Sequence, residues 1–336
     1  MKVCSRRHVN RAAKERWGPD FELDNKAKNN FSEIVKFVYS PHYEADIGLH
    51  VFPTSKYRLV RERLIQKGLA QATDFVEPQP ATRRQLELVH KTEYLDDLAS
   101  LRWTERTCHA ELPLTEEVVN AYYHAAGGTL LAAELAAHGE RIVGHLGGGF
   151  HHAFPGHGEG FCLVNDVAVA IRTLQETKQM QRFMIVDLDL HQGNGSAFIF
   201  RNDPDVFTLS IHQENLYPLK QASDVDIGLP DHADDDEYLA ALQTVWPSVV
   251  DKHAPQMILY VAGADPFRDD ELGSLKLTFS GLKKRDQIIM SEAVNRQIPT
   301  VVVLAGGYAR HLDDTVAIHT NTLEVATQLT GPDSQG

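Results

Sequence analysis

The chain has 336 residues and a formal net charge of −13, and 43% of its residues are apolar, which is enough for one large core or two modest ones. The negative charge argues against direct binding to nucleic acid, because phosphate backbones attract basic surfaces. Three scattered cysteines exclude a disulfide framework and favour a reducing compartment. We therefore expect a cytoplasmic protein, or a nuclear one in a eukaryote.

Polar segments lie at both ends of the chain. Residues 1–30 are rich in Lys, Arg and Asn, which predicts a loosely ordered N-terminal extension, and residues 331–336 predict a frayed tail. Residues 31–330 contain no linker, so we expect them to form a single domain. No apolar run approaches the length that spans a bilayer, and we expect no membrane partner.

Strand-like and helical patterns alternate between these ends. Short apolar runs typical of buried strands occur at residues 34–39, 141–144, 182–186, 206–211, 257–261 and 300–304. Apolar residues at three- and four-residue spacing predict helices at 115–138, 165–176, 234–250, 280–295 and 313–329. This alternation predicts an α/β fold with three layers, in which helices cover both faces of a mainly parallel central sheet.

Unusual polar residues follow four of the predicted strands. Asp187, Asp189 and His191 follow the third apolar run, and two buried carboxylates beside an imidazole are costly unless a cation lies among them. Ligands of parallel sheets bind beyond the carboxyl ends of the strands, so these residues converge if the four strands are neighbours. The residues that follow the other three strands are His151, His152, Asp265 and Tyr308.

Metal-assisted hydrolysis is the chemistry that uses such a set. Asp189, His191 and Asp265 supply two oxygens and one nitrogen and leave a position open for water or a substrate carbonyl. A histidine near that position can take a proton from water and return it to a leaving amine, and a tyrosine hydroxyl can stabilise an oxyanion. Zn²⁺ suits these ligands, and Fe²⁺ or Co²⁺ are possible because cellular availability decides among them.

Each feature alone has a plainer interpretation. The glycines at 147–149 are typical of many tight turns, and no Lys-Ser/Thr follows them to make a phosphate loop. A bare histidine pair is more often structural, Asp265 could cap a helix, and Gly306-Gly307-Tyr308 could be an ordinary turn. Their joint occurrence at successive strand ends favours a functional site.

The chain resembles the zinc-dependent histone deacetylase family, whose fold is of the arginase-deacetylase type. The resemblance runs from Phe37 to the C-terminal helix, and His90-x-x-x-Tyr94-Leu95 is similar to the family's N-terminal signature. It implies that residues 31–330 are a deacetylase catalytic domain. The other matching segments, in the family's order, are Gly147–His152, Gly160–Asp166, Asp187–His191, Leu209–His212, Gly263–Asp265 and Gly306–Tyr308.

The resemblance implies a catalytic role for several residues. His152 matches the general base and acid, His151 matches its electrostatic partner, and Asp187 matches the carboxylate that orients His151. Tyr308 matches the tyrosine that stabilises the oxyanion. The residues that match the zinc ligands are Asp189, His191 and Asp265.

The resemblance also implies a structural potassium ion and an acyl-lysine tunnel. Phe161 matches one tunnel wall, and Gly160 and Gly306 line it. Tyr217 is a candidate for the opposite wall. The residues that resemble the potassium site are Asp187, Asp189, His191, Ser210 and Ile211, together with the carbonyl of Leu190.

One position departs from the pattern of the family's class I members. Asn194 replaces the aspartate that lies beside the general base, so a neutral amide takes the place of a carboxylate. A neutral partner stabilises imidazolium less, and we expect His152 to titrate lower than it would beside an aspartate. The Gln192-Gly-Asn-Gly195 variant and the start at Val38-Tyr-Ser-Pro41 resemble class IV and related bacterial deacetylases.

The motifs specify the reaction and leave the substrate open. Our leading hypothesis is that the protein removes an acetyl or longer acyl group from lysine side chains of proteins. The sequence does not determine the oligomeric state. A small-molecule amide deacylase, such as an acetylpolyamine amidohydrolase, is an alternative, and the acidic runs at 234–237 and 269–271 are its only support. A binding protein without turnover is a second alternative, which the complete residue set argues against. Di-metal chemistry of the arginase type ranks last, because it needs more carboxylates.

Overall fold

The computed structural model describes residues 35–331, and all strands of these residues belong to one sheet. The strands are β1 (Lys36–Val38), β2 (Phe75–Val76), β3 (Ile142–His145), β4 (Phe183–Asp187), β5 (Val206–Gln213), β6 (Val225–Leu229), β7 (Met257–Val261) and β8 (Thr300–Val303). Their order in the sheet is β2-β1-β3-β8-β7-β4-β5-β6, and every pair is parallel. The predicted α/β fold is confirmed, with a sheet that is entirely rather than mainly parallel across the described residues.

The α-helices of the described residues are α1 (Lys56–Gln66), α2 (Arg83–Leu86), α3 (Thr92–Ala99), α4 (Glu105–Cys108), α5 (Glu116–Ala137), α6 (Asp166–Glu176), α7 (Asn194–Phe200), α8 (Asp235–His253), α9 (Phe279–Asn295) and α10 (Leu312–Thr330). Four predicted helices begin at side-chain caps, because a side-chain oxygen accepts a backbone N–H of the first turn. These N-cap residues are Thr115, Asn165, Asp234 and Thr278.

Helices cover both faces of the sheet and give the predicted three layers. Met184 and Val186 of β4 pack in a core cluster with α1, α8, α9 and α10. Phe183 and Ile185 of the same strand point to the opposite face and pack with α5, α6 and α7. This alternation along a strand buried on both faces explains why the apolar run at 182–186 is continuous.

Two of the elements that the sequence analysis missed lack a strong apolar pattern. Strand β6 lies at one edge of the sheet, and its Asp226 and Gly228 are exposed, so it carries no continuous apolar run. Helix α1 contains five charged residues among eleven, which hides its buried stripe of Lys56, Tyr57, Val60 and Leu64.

Both ends of the chain fall largely outside the described residues. The predicted extension at residues 1–30 and the last five residues of the predicted tail lie outside the described residues. Within residues 35–331, no helix is long and apolar enough to cross a membrane.

Candidate active site

Four neighbouring strands deliver the predicted site residues to one edge of the sheet. Strands β3, β8, β7 and β4 are consecutive in the sheet order, and each ends in the segment that carries candidate residues. The convergence that the sequence predicted is therefore present. The residues that line the resulting narrow pocket include His151, His152, Asp189, His191, Gly306 and Tyr308.

A sharp glycine turn brings the two histidines into the pocket. Gly148 and Gly149 have φ values of +69° and +84°, a backbone conformation that L side chains rarely adopt. A Cβ at Gly149 would lie 2.6 Å from the Cβ of Ala305, so the turn also needs glycine for close approach. Asp166 at the start of α6 holds the turn, since its carboxylate accepts the N–H groups of Gly149 at 3.0 Å and Phe150 at 2.7 Å.

Asp189, His191 and Asp265 form a buried cluster with the geometry of a metal site. Their candidate ligand atoms all lie within 4.8 Å of one another. The Nδ1 atom of His191 is 3.3 Å from Asp189 Oδ1 and 3.3 Å from Asp265 Oδ2. Asp265 Oδ2 is buried and accepts no hydrogen bond, although buried carboxylate oxygens are costly without a partner. A divalent cation fits this donor set and would compensate that cost.

Electrostatics also favour positive charge in the cluster. Burial by itself lowers the pKa of His191, but its contacts with Asp189 and Asp265 raise it to about 10. Burial and the neighbouring charge of Asp189 raise the pKa of Asp265 to about 6. The two carboxylates repel each other in a dry environment, and a cation between them removes that repulsion.

Backbone N–H groups orient both carboxylates. Gly306 N–H donates to Asp189 Oδ2 at 2.9 Å, and Leu190 N–H donates to Asp265 Oδ1 at 3.0 Å. A Cβ at Gly306 would lie 2.2 Å from Asp265 Oδ2, so only glycine fits beside the cluster. The outer oxygens are thus tied to the strand ends, and Asp189 Oδ1 and Asp265 Oδ2 are left facing His191.

A buried arginine holds the backbone beside the cluster by hydrogen bonds. The Nη1 atom of Arg285 donates to the carbonyls of Leu188 at 3.1 Å and Gly263 at 2.7 Å, which lie one residue before Asp189 and two residues before Asp265. Its charge is balanced by Asp286, whose Oδ1 is 2.8 Å from Arg285 Nη2. Arg285 therefore links the end of β4 to the end of β7.

The two histidines of the pocket differ in their partners and charge. His151 Nδ1 lies 2.7 Å from Asp187 Oδ2, and although burial opposes it, this carboxylate raises the pKa of His151 to about 9. His152 Nδ1 lies 2.8 Å from the neutral Asn194 Oδ1. Burial, followed by the charges of His151 and His191, holds the pKa of His152 well below its usual range. One histidine is thus a cation and the other a neutral base.

Tyr308 is held at the pocket by its own backbone. Its N–H donates to Asp270 Oδ2 at 2.7 Å, and burial raises the pKa of its hydroxyl well above the usual range, so the phenol stays protonated. Lys56 is fully buried behind it and donates to the carbonyl of Ala305 at 2.5 Å. Burial lowers the pKa of Lys56 to about 8, although the carboxylates of Asp265 and Asp189 oppose the change.

Aromatic rings form the walls of the pocket. The ring of Phe161 lies 5.8 Å from that of Tyr308 and 6.4 Å from that of Phe52, centroid to centroid. The ring of Tyr217 lies 5.5 Å from the imidazole of His152 and 6.2 Å from that of His191, centroid to centroid. A Cβ at Gly160 would lie 2.7 Å from His152 Cδ2, which explains the glycine there. The predicted wall residues are therefore near the pocket, and Phe52 is a further one.

The residues of the predicted potassium site lie at the end of β4, in the loop that follows it and on the adjacent strand β5. Asp187 at the end of β4 is in register with Ser210 of β5, and Ile211 follows it. The carbonyl of Leu190 accepts the N–H of Gln213 at 3.0 Å, and Ser210 Oγ lies 2.9 Å from His212 Nδ1.

Sequence reasoning missed several residues that position the site. Two of them carried a readable signal, because Arg285 and Lys56 fall on the apolar stripes of α9 and α1. Asp270 was hidden in an acidic run that is otherwise exposed. The missed residues are Phe52, Lys56, Glu159, Asp166, Asp270 and Arg285.

Comparisons with known proteins point to one family. A family model described as "Histone deacetylase domain" matches residues 50–323. The chain is 41% identical over 286 residues to an uncharacterized protein of Picosynechococcus sp., covering 84% of this chain and 95% of that protein. It is 31% identical over 291 residues to Histone deacetylase 2 of Arabidopsis thaliana, covering 82% and 75%. Acetoin utilization protein AcuC of Bacillus subtilis is 32% identical over 269 residues, covering 73% and 69%.

A solved structure supports the fold independently. The HD domain of HDA15 matches with a TM-score of 0.75 and 24% identity, covering 88% of each chain. The sheet and the site at its strand ends thus define an α/β protein of the arginase-deacetylase fold. Within that fold, the chain belongs to the histone deacetylase family of hydrolases.

Proposed function

We propose that the protein hydrolyses the amide bond of N-acylated lysine side chains in proteins, as a deacetylase or a deacylase of longer chains. The observation that carries the proposal is the arrangement of His152 and Tyr308 around a buried Asp–His–Asp cluster, inside a narrow pocket with aromatic walls. An acylated lysine is a thin, mostly apolar chain that ends in an amide, and aromatic walls suit its methylene groups.

Asp189, His191 and Asp265 would hold the metal, for which we propose Zn²⁺, with Fe²⁺ or Co²⁺ as possible substitutes. A metal held there supplies Lewis-acid activation of the amide carbonyl and of the attacking water. We further propose a potassium site made by Asp187, Asp189, Ser210 and the backbone carbonyls of Leu190, His191 and Ile211, because oxygen ligands from the end of β4, its following loop and the adjacent strand β5 suit a large cation.

His152 acts as the general base and then as the general acid. Its Nδ1 faces Asn194 Oδ1, an acceptor, so the proton of the neutral ring lies on Nδ1 and the lone pair on Nε2. Nε2 takes a proton from the attacking water and later delivers one to the leaving lysine amine. His151, held as a cation by Asp187, lies with its ring centroid 4.0 Å from that of His152 and favours the neutral form.

Tyr308 stabilises the negative charge that develops on the carbonyl oxygen. Its hydroxyl stays protonated and can donate a hydrogen bond, and the backbone contact with Asp270 restricts its position. A donor that is already in place costs no reorganisation when the charge appears.

The small-molecule alternative finds little support in the positions of the acidic runs. Asp234 and Asp235 serve helix ends, since Asp234 caps α8 and Asp235 accepts the N–H of Thr278 at 2.8 Å. Asp270 is buried and holds Tyr308. Protein lysine is therefore the substrate class that we favour over acetylpolyamines.

Turnover on a substrate panel tests the proposal. The metal-loaded protein should hydrolyse acetyl-, octanoyl- or myristoyl-lysine peptides, and the ranking of chain lengths measures the depth of the pocket. Turnover of an acetylated polyamine alone would contradict the protein-lysine assignment. Bound metal without turnover of any substrate would favour a binding protein.

A further inference from the structure

The base His152 is connected to a carboxylate through an amide. Its Nδ1 is 2.8 Å from Asn194 Oδ1, and Asn194 Nδ2 donates to Glu159 Oε1 at 2.8 Å. Asn194 is buried, and the Glu159 side chain is only 19% exposed, so the contact is largely shielded from water. The three side chains form a continuous line from imidazole to amide to carboxylate.

Hydrogen-bond chemistry permits only one orientation of this amide. The Glu159 carboxylate can only accept, so the NH₂ group of Asn194 must face it. The N–H of Gly195 donates to Asn194 Oδ1 at 3.0 Å, which requires an oxygen at that end. His152 must therefore donate from Nδ1, and this leaves Nε2 free to accept a proton.

The backbone around Glu159 holds its carboxylate in place. Glu159 and Cys162 exchange two backbone hydrogen bonds of 3.0 and 2.9 Å across a tight turn. Gly160 and Phe161 within that turn have φ values of +49° and +62°, as in a hairpin turn of type I′. The second carboxylate oxygen of Glu159 lies 3.2 Å from His157 Nε2, and this carboxylate adds to the effect of burial in raising the pKa of the Tyr217 hydroxyl.

We propose that Glu159 is a positioning residue for His152 and supplies, through the polarised amide of Asn194, the negative charge that a directly bonded carboxylate would supply. Hydrogen bonds in series polarise one another, so a charge at the far end strengthens the bond at the near end. When His152 takes a proton, the chain stabilises the imidazolium. The role in turnover rests on the proposed function, whereas the hydrogen-bonded chain does not.

Steady-state kinetics of the metal-loaded protein test the charge. Glu159→Gln keeps an acceptor for Asn194 and removes the charge, so kcat should fall about tenfold and KM should change less. Glu159→Ala removes the bond too and should lower kcat further. The matched control is Glu111→Gln, which removes an exposed carboxylate near Tyr217 that has no bond to Asn194. Equal effects of Glu159→Gln and Glu111→Gln on kcat would overturn the proposal.

A double substitution separates positioning from general damage to the loop. In an Asn194→Asp background a carboxylate faces His152 directly and lies beside Glu159, where two negative charges repel. Glu159→Gln should then leave kcat unchanged or raise it, which reverses its effect in the native chain. A fall of about tenfold in both backgrounds would show that Glu159 serves the loop and not the base.

Nuclear magnetic resonance gives a reading that needs no turnover. The Nδ1 proton of His152, assigned through its loss in His152→Gln, should move upfield in Glu159→Gln and stay in place in Glu111→Gln. A resonance that does not move would refute the hydrogen-bonded connection from His152 to Glu159, even if the enzyme is active. A protein that shows the shift but turns over no substrate would refute the proposed function and still support that connection.

Discussion

The floor of the pocket is the cluster of Asp189, His191 and Asp265, which lies at strand ends in the middle of the sheet. Its rim consists of Phe52, Phe161 and the nearby Tyr217, and loops carry all three. All three floor residues are buried, while Tyr217 of the rim is 43% exposed. The floor is held by backbone N–H groups and by Arg285 between two strands. The rim is held by ring contacts and a tight turn.

This difference suggests separate roles, with the reaction at the floor and selection of the substrate at the rim. Charges at the floor need fixed geometry in a dry environment, because an error in position there costs both metal affinity and turnover. In the proposed function the rim would contact the part of the substrate that varies, and its loops can change without disturbing the sheet. We therefore expect floor substitutions to abolish function and rim substitutions to change affinity.

The largest effect should come from Asp265→Ala. Loss of one of three ligands should remove stoichiometric metal and lower turnover at least about a thousandfold. Elemental analysis and activity check both values, and Asp269→Ala, at an exposed neighbouring position, is the matched control. A variant that retained full metal and activity would disprove the ligand assignment.

Arg285→Met should destabilise the floor as a whole. The substitution leaves Asp286 buried without its cation and releases the carbonyls of Leu188 and Gly263, so we expect a loss of about 3–5 kcal/mol in the free energy of unfolding. Urea denaturation measures the loss. Lys284→Met, on the exposed side of the same helix, should change stability by less than about 0.5 kcal/mol. Similar losses in both variants would contradict the bracing role.

Tyr308→Phe should separate binding of metal from catalysis. It removes only the hydroxyl that we assign to the oxyanion, so metal content should be unchanged while kcat falls about 10²–10³-fold. Single-turnover measurements and metal analysis check the two expectations. Unchanged turnover would remove Tyr308 from the mechanism.

Low pH should lower the free energy of unfolding through the buried His90, which holds the loop between the histidine pair and the rim. Buried His90 lies 3.0 Å from the carbonyl of Phe154 and accepts the N–H of Asn165 at 3.0 Å, and burial lowers its pKa to about 4. Between pH 6.5 and 4 the imidazole of His90 binds a proton more readily in the unfolded chain than in the folded one. The free energy of unfolding therefore falls as the pH falls, and His90 should account for about 3 kcal/mol of that loss.

Urea midpoints measured at several pH values test this expectation. His90→Gln cannot titrate at this position, so its stability should be lower at pH 7 and should decline less steeply toward pH 4. Parallel declines in the native chain and the variant would show that His90 makes no contribution to acid sensitivity.

The smallest effect should come from the exposed part of the rim. Tyr217→Ala removes a half-exposed wall and should raise KM by about fivefold, roughly 1 kcal/mol, with a smaller change in kcat. Peptides with different acyl lengths measure whether the loss depends on the acyl group. A fall in kcat as large as that of Tyr308→Phe would show that Tyr217 takes part in the reaction and does not only contribute to affinity.

The sequence by itself determined the fold class and most of the floor. Continuous apolar runs mark strands buried on both faces, and polar residues directly after such runs stand out because burial of charge is costly. The strands at 182–186 and 257–261 and the candidate ligands after them could be read in this way. A family resemblance added roles that spacing alone did not determine.

Only the tertiary structure decided which strands are neighbours and which distant side chains support the site. The sheet order places β8 and β7 between β3 and β4, although β4 follows β3 in the chain. Lys56 and Ala305 are 249 positions apart in the sequence, and Arg285 and Leu188 are 97 positions apart. Glu159 meets Asn194 because a turn and a helix start happen to face each other. Periodicity is local, and such contacts arise only when the packed layers bring separate segments together.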